Sequence, residues 1–421
     1  MKIDWSDNME RLLNLQDQYK FPMGQLIHEQ EPEAEVTLKM TNRKALKGMR
    51  IADYIQPEAL QEHYDNLRGR TFAPDELAIL ERQADKHYTH EFLGYLAAFK
   101  LPEIEVAIDP DNNDITATTT ANWNDSSLWE IPMLSAIPEL YYPKYIEANG
   151  GTMSEVWNEG DRRLTSMIEL MRANPDVKFA EFGTRRRFSS DWQDHAVERF
   201  ATECPDNLIG TSNPWLAAKY SIPASGTNAH ELGMVYAALE EERGGNPIDG
   251  QSRVIADWLE RFPGMPVVLT DTFTTEATLA SITPEQAEQI KSYRVDSGDE
   301  RIIGEKIIEF VRRFGIDPLT RTLFFSNSLT PEKAVALQRY FAGRVGVAFG
   351  IGGHSVNNMG FDAAHSLPNM NIVAKAVTAN GHGTVKLSDD LGKHMGSPEN
   401  VARYQRFAAH RLGARALVLT A

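Results

Sequence analysis

The sequence predicts an α/β fold, an irregular and incomplete TIM-like barrel with an N-terminal α+β domain. Three observations carry that expectation. In the second part of the chain six short apolar segments, each closed by small and polar residues, alternate with helical patterns. Unbroken apolar strands of this kind belong to parallel sheets covered by helices on both faces. Before about residue 127, strands and helices follow no regular alternation, as in an α+β layer domain. A length of 421 residues is enough for two domains. Six strands fall short of the eight of an ideal barrel, so an open doubly wound sheet is the second choice.

The N-terminal domain is expected over residues 1–126. Leu12 to Tyr19 leads through a turn at Lys20-Phe-Pro-Met into a short helix. Glu35-Val-Thr-Leu-Lys-Met alternates apolar and polar residues like an exposed strand. Pro57 to Leu67 and Pro74 to Phe99 read as helices rich in charge on one side. Ile104 to Asp109 and Asp114 to Thr120 read as strands joined by the Pro110-Asp-Asn-Asn turn. The last segment, 386–421, is expected to join this domain. His28, His63, His87 and His90 look like surface or packing residues.

The barrel domain is expected over 127–385, opening on a long helix from Leu128 to Ala148. Its strands are Val177 to Phe182, Asn207 to Gly210, Pro266 to Thr270, Ser292 to Val295, Thr322 to Ser326 and Val345 to Phe349. Helical patterns at Thr283 to Lys291, Glu300 to Phe314 and Thr330 to Phe341 separate the later ones.

Composition excludes several functions. With 42% apolar and 24% charged residues the chain sits among soluble globular proteins. A net charge of −16 argues against broad nucleic-acid binding, so an anionic ligand must be met by a local cationic cluster. Cys204 is the only cysteine, which excludes an intramolecular disulfide and a thiolate metal site and fits a reducing cytoplasm. The Met1-Lys-Ile-Asp-Trp start has no apolar signal core, and no window is long enough to span a membrane.

Chemistry belongs at the carboxyl ends of the parallel strands. The stretch Pro223 to Leu232 stands out there. Leu232, Val235, Tyr236 and Leu239 recur at helical spacing, and Ser225 or Thr227 can cap that helix with His230 in its first turn. A helix N-terminus disfavours a second positive charge, which leaves the imidazole neutral and nucleophilic. A buried core histidine is the competing reading. It is no zinc-protease motif, because Met234 stands where the second His would be. Arg185-Arg186-Arg187 follows one strand and suits a carboxylate or phosphate, its alternative being a solvated charge run. Gly350-Ile-Gly352-Gly353 can cradle a phosphate on backbone N–H groups, with His354 beside it. Asp296 and Asp299 share one turn and suit ribose hydroxyls or Mg²⁺ with bound waters, or else a helix cap.

Read together, these motifs resemble the nicotinate phosphoribosyltransferases, a type II phosphoribosyltransferase family. The resemblance rests on Glu181-Phe-Gly-Thr-Arg-Arg-Arg-Phe-Ser189, Gly210-Thr-Ser-Asn213, Gly226-Thr-Asn-Ala-His-Glu231 and Leu269-Thr-Asp-Thr-Phe273. Asp296-Ser-Gly-Asp299, Phe324 to Leu329 and Phe349 to Gly352 extend it, and it runs from Asp17 to Ser388. It implies transfer of a phosphoribosyl group from 5-phosphoribosyl 1-diphosphate to nicotinate, coupled to ATP hydrolysis with Mg²⁺, in a homodimer with shared sites. Carried over residue by residue, the phosphorylated histidine falls on His230, its carboxylate partner on Asp271, and nicotinate contacts on Tyr19, Arg185, Thr227 and Arg294. Phe182 and Tyr19 offer flat surface for the ring, and Asp296 faces the developing cation at ribose. Ser212 stands where nicotinamide-using relatives carry Asp, so it favours nicotinate. Arg186, Asp299, Gly350, Gly352, Gly353 and His354 are expected at phosphates, although Gly353-His354 replaces the family's usual Thr. Transfer to nicotinamide or quinolinate, and a non-catalytic nucleotide-binding relative, are the alternatives.

Overall fold

The structure is a computed structural model and describes Trp5, residues 11–83 and residues 88–419. His87 lies outside the described residues, as does most of the N-terminal decapeptide. Three strands form in the first part of the chain, β1 (Glu35–Asn42), β2 (Glu105–Asp109) and β3 (Asp114–Asn122). All six expected apolar segments form strands: β4 (Phe179–Glu181), β5 (Leu208–Thr211), β6 (Val267–Leu269), β7 (Ser292–Val295), β8 (Thr322–Phe325) and β9 (Gly346–Ile351). Two more, β10 (Ile372–Ala379) and β11 (His382–Gly383), follow.

The strands make two sheets, so the fold is mixed α/β with an antiparallel and a parallel part. The parallel sheet has the order β5-β4-β9-β8-β7-β6. Neighbours in the chain are neighbours in space except that β9 lies against β4, while β5 and β6 form the two edges. That is the order of a ring of strands opened between β5 and β6. The helix His230–Glu242 lies between those two strands in the chain.

The antiparallel sheet has the order β11-β10-β1-β3-β2. Glu35 to Met40 therefore starts a central strand, with Val36, Leu38 and Met40 buried on one face, where its alternation suggested an exposed one. β10 pairs with β1 from Val36↔Ala379 to Asn42↔Ile372. Residues 372–383, placed by composition on the barrel side of a boundary at 385, thus complete the N-terminal sheet. The alternation in Ile372 to Ala379 is blurred by alanines, and its partner is remote in sequence, so pairing was not legible there. The C-terminal helix Pro398–Leu419 differs from expectation as well. It packs on the parallel side, with Tyr404 against Phe273 and Ala408 in one cluster with Ala277 and Val385.

Helices fall near their expected places, at Lys20–Gln30, Pro57–Arg68, Glu130–Ala148, Pro284–Gln289, Glu300–Arg313 and Pro331–Phe341. Pro74 to Phe99 forms two helices, Pro74–Glu81 and His90–Ala98. The helix His230–Glu242 buries Leu232, Val235, Tyr236 and Leu239 against Met23, Ile27, Val36, Trp258 and Ala376. Each such apolar side chain contributes about 1.5–3 kcal/mol, so the helix that presents His230 is firmly anchored between the two sheets.

Candidate active site

His230 is the first residue of its helix, as its spacing predicted, but the cap is Ala229 and no side chain caps it. Ser225 and Thr227 stay in the preceding half-buried loop. At Gly226, whose φ is +155°, a Cβ would lie 2.8 Å from the Tyr19 nitrogen, so only glycine lets this loop rest on the Gln18-Tyr19 backbone.

The imidazole Nε2 lies 2.8 Å from Asp271 Oδ1, and Asp296 Oδ2 is 3.8 Å away. Asp271 follows β6 and is fully buried; its Oδ2 accepts from Ser297 Oγ at 2.7 Å and pairs with Lys386 Nζ at 3.1 Å. Burial works to raise the Asp271 pKa, but His230 and Lys386 hold it well below the carboxylate range. An ionised Asp271 accepts a hydrogen bond from Nε2–H, which leaves the lone pair of His230 on Nδ1. Burial pushes His230 down to about 4, over the pull of Asp271 and Asp296 and with help from Lys386. The imidazole is neutral near pH 7 as expected, but the larger cause is desolvation rather than the helix terminus.

A second group of side chains meets beside this pair. Tyr19 OH donates to Glu130 Oε2 at 2.9 Å, and Arg185 Nη1 to Glu130 Oε1 at 3.2 Å. Arg294 donates to Ser326 Oγ at 3.0 Å and to the Asn228 carbonyl at 2.9 Å, which ties β7 to the His230 loop. Ser326 in turn donates to Asp296 at 2.8 Å. Phe182, after β4, is half-buried with its ring 5.4 Å from that of Phe324. A Cβ at Gly350 would sit 2.6 Å from the Phe182 ring, so this glycine makes room for an aromatic rather than a phosphate. Ser212 Oγ donates to the buried Asp17 at 2.5 Å. A carboxylate therefore already stands against Ser212, supplied by the N-terminal segment.

The three consecutive arginines divide their work. Arg187 is buried, donates to the Asn14 carbonyl at 3.0 Å and to Gln193 at 3.3 Å, and pairs with Glu139 at 3.2 Å. It holds the fold together and is not part of an anion site. Arg186 makes no ion pair among the described residues, and burial with neighbouring Arg185 and Arg43 pushes it down to about 10. Lys375 on β10 is also without an ion pair among the described residues, and burial pushes it down to about 8 against the pull of Glu130. Cations left without carboxylates in a chain of net charge −16 are what an anionic ligand neutralises.

Two expected phosphate groups are committed elsewhere. Asp299 is exposed and caps the helix Glu300–Arg313, accepting from Arg301 and Ile302 N–H. His354 lies 3.4 Å from Asn358 and interacts with Glu332 and Arg163. Ser355 Oγ donates to the Gly352 carbonyl at 2.6 Å and lies 2.9 Å from the Ile351 carbonyl. Gly353 remains open beside the Arg186 side chain. Among the described residues no three His, Cys, Asp or Glu side chains form a metal cluster.

Sequence reasoning missed Asp17, Arg43, Glu130, Lys375 and Lys386 as members of this site. Ala374-Lys375-Ala376 and Val385-Lys386-Leu387 carried a usable signal, a lone cation between small or apolar neighbours. A buried face does not take such a charge without a partner.

Buried carboxylates at the ends of parallel strands, beside cations with no ion pair among the described residues, make a site suited to anionic ligands. The chain belongs to the nicotinate phosphoribosyltransferase (NAPRTase) family, which matches residues 177–410, with the family's N-terminal domain matching residues 15–138. It is similar to the nicotinate phosphoribosyltransferase of Porphyromonas gingivalis, with 28% identity and a TM-score of 0.85 over 95% of this chain and 100% of that one. The Vibrio cholerae nicotinate phosphoribosyltransferase is similar at 28% identity and a TM-score of 0.84, over 95% and 93% of the two chains. Among the described residues no helix is long and apolar enough to cross a membrane.

Proposed function

We propose that the chain joins nicotinate to 5-phosphoribosyl 1-diphosphate and couples the transfer to ATP hydrolysis through a phosphorylated His230. The observation that supports this most is the contact of 2.8 Å between the buried His230 imidazole and the buried Asp271 carboxylate. In the first step Nδ1 of His230 attacks the γ-phosphorus of ATP, the bond to the bridging oxygen breaks, and ADP leaves. Asp271 offsets the positive charge that develops on the ring. In the second, the pyridine nitrogen attacks ribose C1 as the C1–O bond breaks and diphosphate departs with the electron pair; water then attacks the phosphorus on His230, the N–P bond breaks, and inorganic phosphate leaves the free imidazole. Asp296, whose Oδ2 lies 3.8 Å from His230 Nε2, is the carboxylate we assign to stabilising the cationic carbon.

Tyr19 and Phe182 give flat faces to the ring, and Arg185 with Arg294 meets its carboxylate. Arg186, Arg43 and Lys375, with the Gly352-Gly353 backbone, suit the phosphates. Mg²⁺, when bound, would neutralise phosphate oxygens; among the described residues no cluster of carboxylates cages it, which suits an ion carried largely by its nucleotide and water. A homodimer with shared active sites belongs to this reading. A place in cytoplasmic pyridine nucleotide salvage fits the single buried Cys204. Steady-state assays with nicotinate, nicotinamide and quinolinate test the choice of base. Nicotinate is expected to have the highest kcat/KM, and a preference for either of the others refutes the assignment.

A further inference from the structure

Lys20 is fully buried and bridges two carboxylates, Glu130 Oε2 at 2.8 Å and Glu231 Oε2 at 2.8 Å. Its third donor reaches Ser127 Oγ at 3.0 Å. Glu231 is fixed from the other side by Trp123 Nε1, which donates to its Oε1 at 2.8 Å. Burying three charges is expensive, and apolar residues of similar volume fill such space at no loss of stability. What the charges supply here is a connection. Glu231 follows His230 directly at the helix start, while Glu130 holds both Tyr19 and Arg185.

We propose that the Glu231–Lys20–Glu130 bridge is the device by which the phosphorylation state of His230 sets the geometry of the nicotinate pocket, with Glu231 and Lys20 as positioning residues. The inference rests on the phosphoryl-carrier role of His230 proposed above. Phosphorylation adds about −1.5 to −2 charges at the first turn of the helix. That charge competes with Glu231 for nearby cations and shifts the helix start that carries it. Lys20 then divides differently between its two carboxylates. Glu130 responds because Tyr19 donates to the same Oε2 that Lys20 holds, while Arg185 pairs with the other oxygen, Oε1, of that carboxylate. A second contact acts in parallel, since the Gly226 backbone rests on Gln18 and Tyr19. Coupling of this kind is reciprocal, so nicotinate must favour the phosphorylated form by the same factor that phosphorylation favours nicotinate.

The test uses Glu231→Gln, which keeps an acceptor for Trp123 and removes the charge that Lys20 reads. Full-length wild type and variant are each given ATP, acid-labile phosphate is measured, and the KM for nicotinate is taken with and without ATP. In the wild type the ratio of the two KM values is expected to be at least about fivefold, the lower range for allosteric coupling. In the variant His230 is still phosphorylated and the ratio falls towards one. The charge-balanced Lys20→Met/Glu231→Gln double variant reads the same ratio where the single variant does not fold. An undiminished ratio in a phosphorylated variant overturns the bridge and leaves the phosphoryl carrier intact. A wild type without acid-labile phosphate overturns both.

Discussion

Asp271 takes one ring nitrogen of His230 at 2.8 Å and is itself held by Ser297 and Lys386, so the imidazole is fixed in a single tautomer. The carboxylate is buried, lies at a strand end, and belongs to an element that the chain places 41 residues further on. Asp271→Asn keeps the shape but cannot stabilise the charged ring. It is expected to slow phosphorylation of His230 by about 10²–10⁴-fold, read as the single-turnover rate with labelled ATP. A loss of less than about threefold would mean that the carboxylate only packs.

The pH dependence of that same step follows from burial. An ordinary imidazole loses its lone pair as pH falls through about 6.5. In this protein burial pushes the His230 pKa down to about 4. The group is therefore neutral above that value and protonated only below it. Phosphorylation measured across pH is expected to stay level from pH 8 to about 5 and to fall as pH drops through about 4. A fall centred near 6.5 instead would show an exposed histidine.

The adjacent arginines separate fold from ligand. Removing Arg187 leaves Glu139 and the Asn14 carbonyl without their buried partner. Arg187→Ala is expected to cost about 3–5 kcal/mol in denaturant unfolding. Arg186→Ala, which breaks no ion pair among the described residues, should leave the unfolding midpoint in place. It should raise the KM for the phosphoribosyl diphosphate by about tenfold or more, as expected from loss of one charged contact. The reverse pattern would exchange the two roles.

The proposed choice of base involves Asp17 as well as Ser212. Ser212 donates to Asp17, so Ser212→Asp sets two carboxylates against each other in a buried place. That variant is expected to lose activity on both nicotinate and nicotinamide. Asp17→Ser/Ser212→Asp, which moves the acid across the same contact, should recover activity and favour nicotinamide. Competitive assays with the two bases read the outcome, and unchanged selectivity in the double variant refutes this account.

The sequence made the parallel strands legible because each is an apolar run with small polar residues at its end. The positions of Asp271 and Asp296 were legible because each follows a strand end, and that of His230 because it opens a periodic helix. β10 was not, because Lys375 interrupts an alanine-rich segment whose partner lies more than 300 residues earlier, from Glu35 to Asn42. Asp299 looked like a ligand because an aspartate that caps a helix and one that binds a hydroxyl share the same local sequence. Arg187 looked like its neighbours because burial cannot be read from a run of identical residues. Asp17 and Glu130 gave no local signal, since their partners Ser212, Tyr19 and Arg185 come from other segments.

One measurement reaches the central claim directly. Purified protein is incubated with γ-labelled ATP, digested under conditions that spare acid-labile phosphate, and the labelled peptide is sequenced. The label is expected on His230, and His230→Ala should abolish both the label and the stimulation of transfer by ATP while some basal transfer survives. A label on another residue, or full ATP stimulation in His230→Ala, would contradict the account.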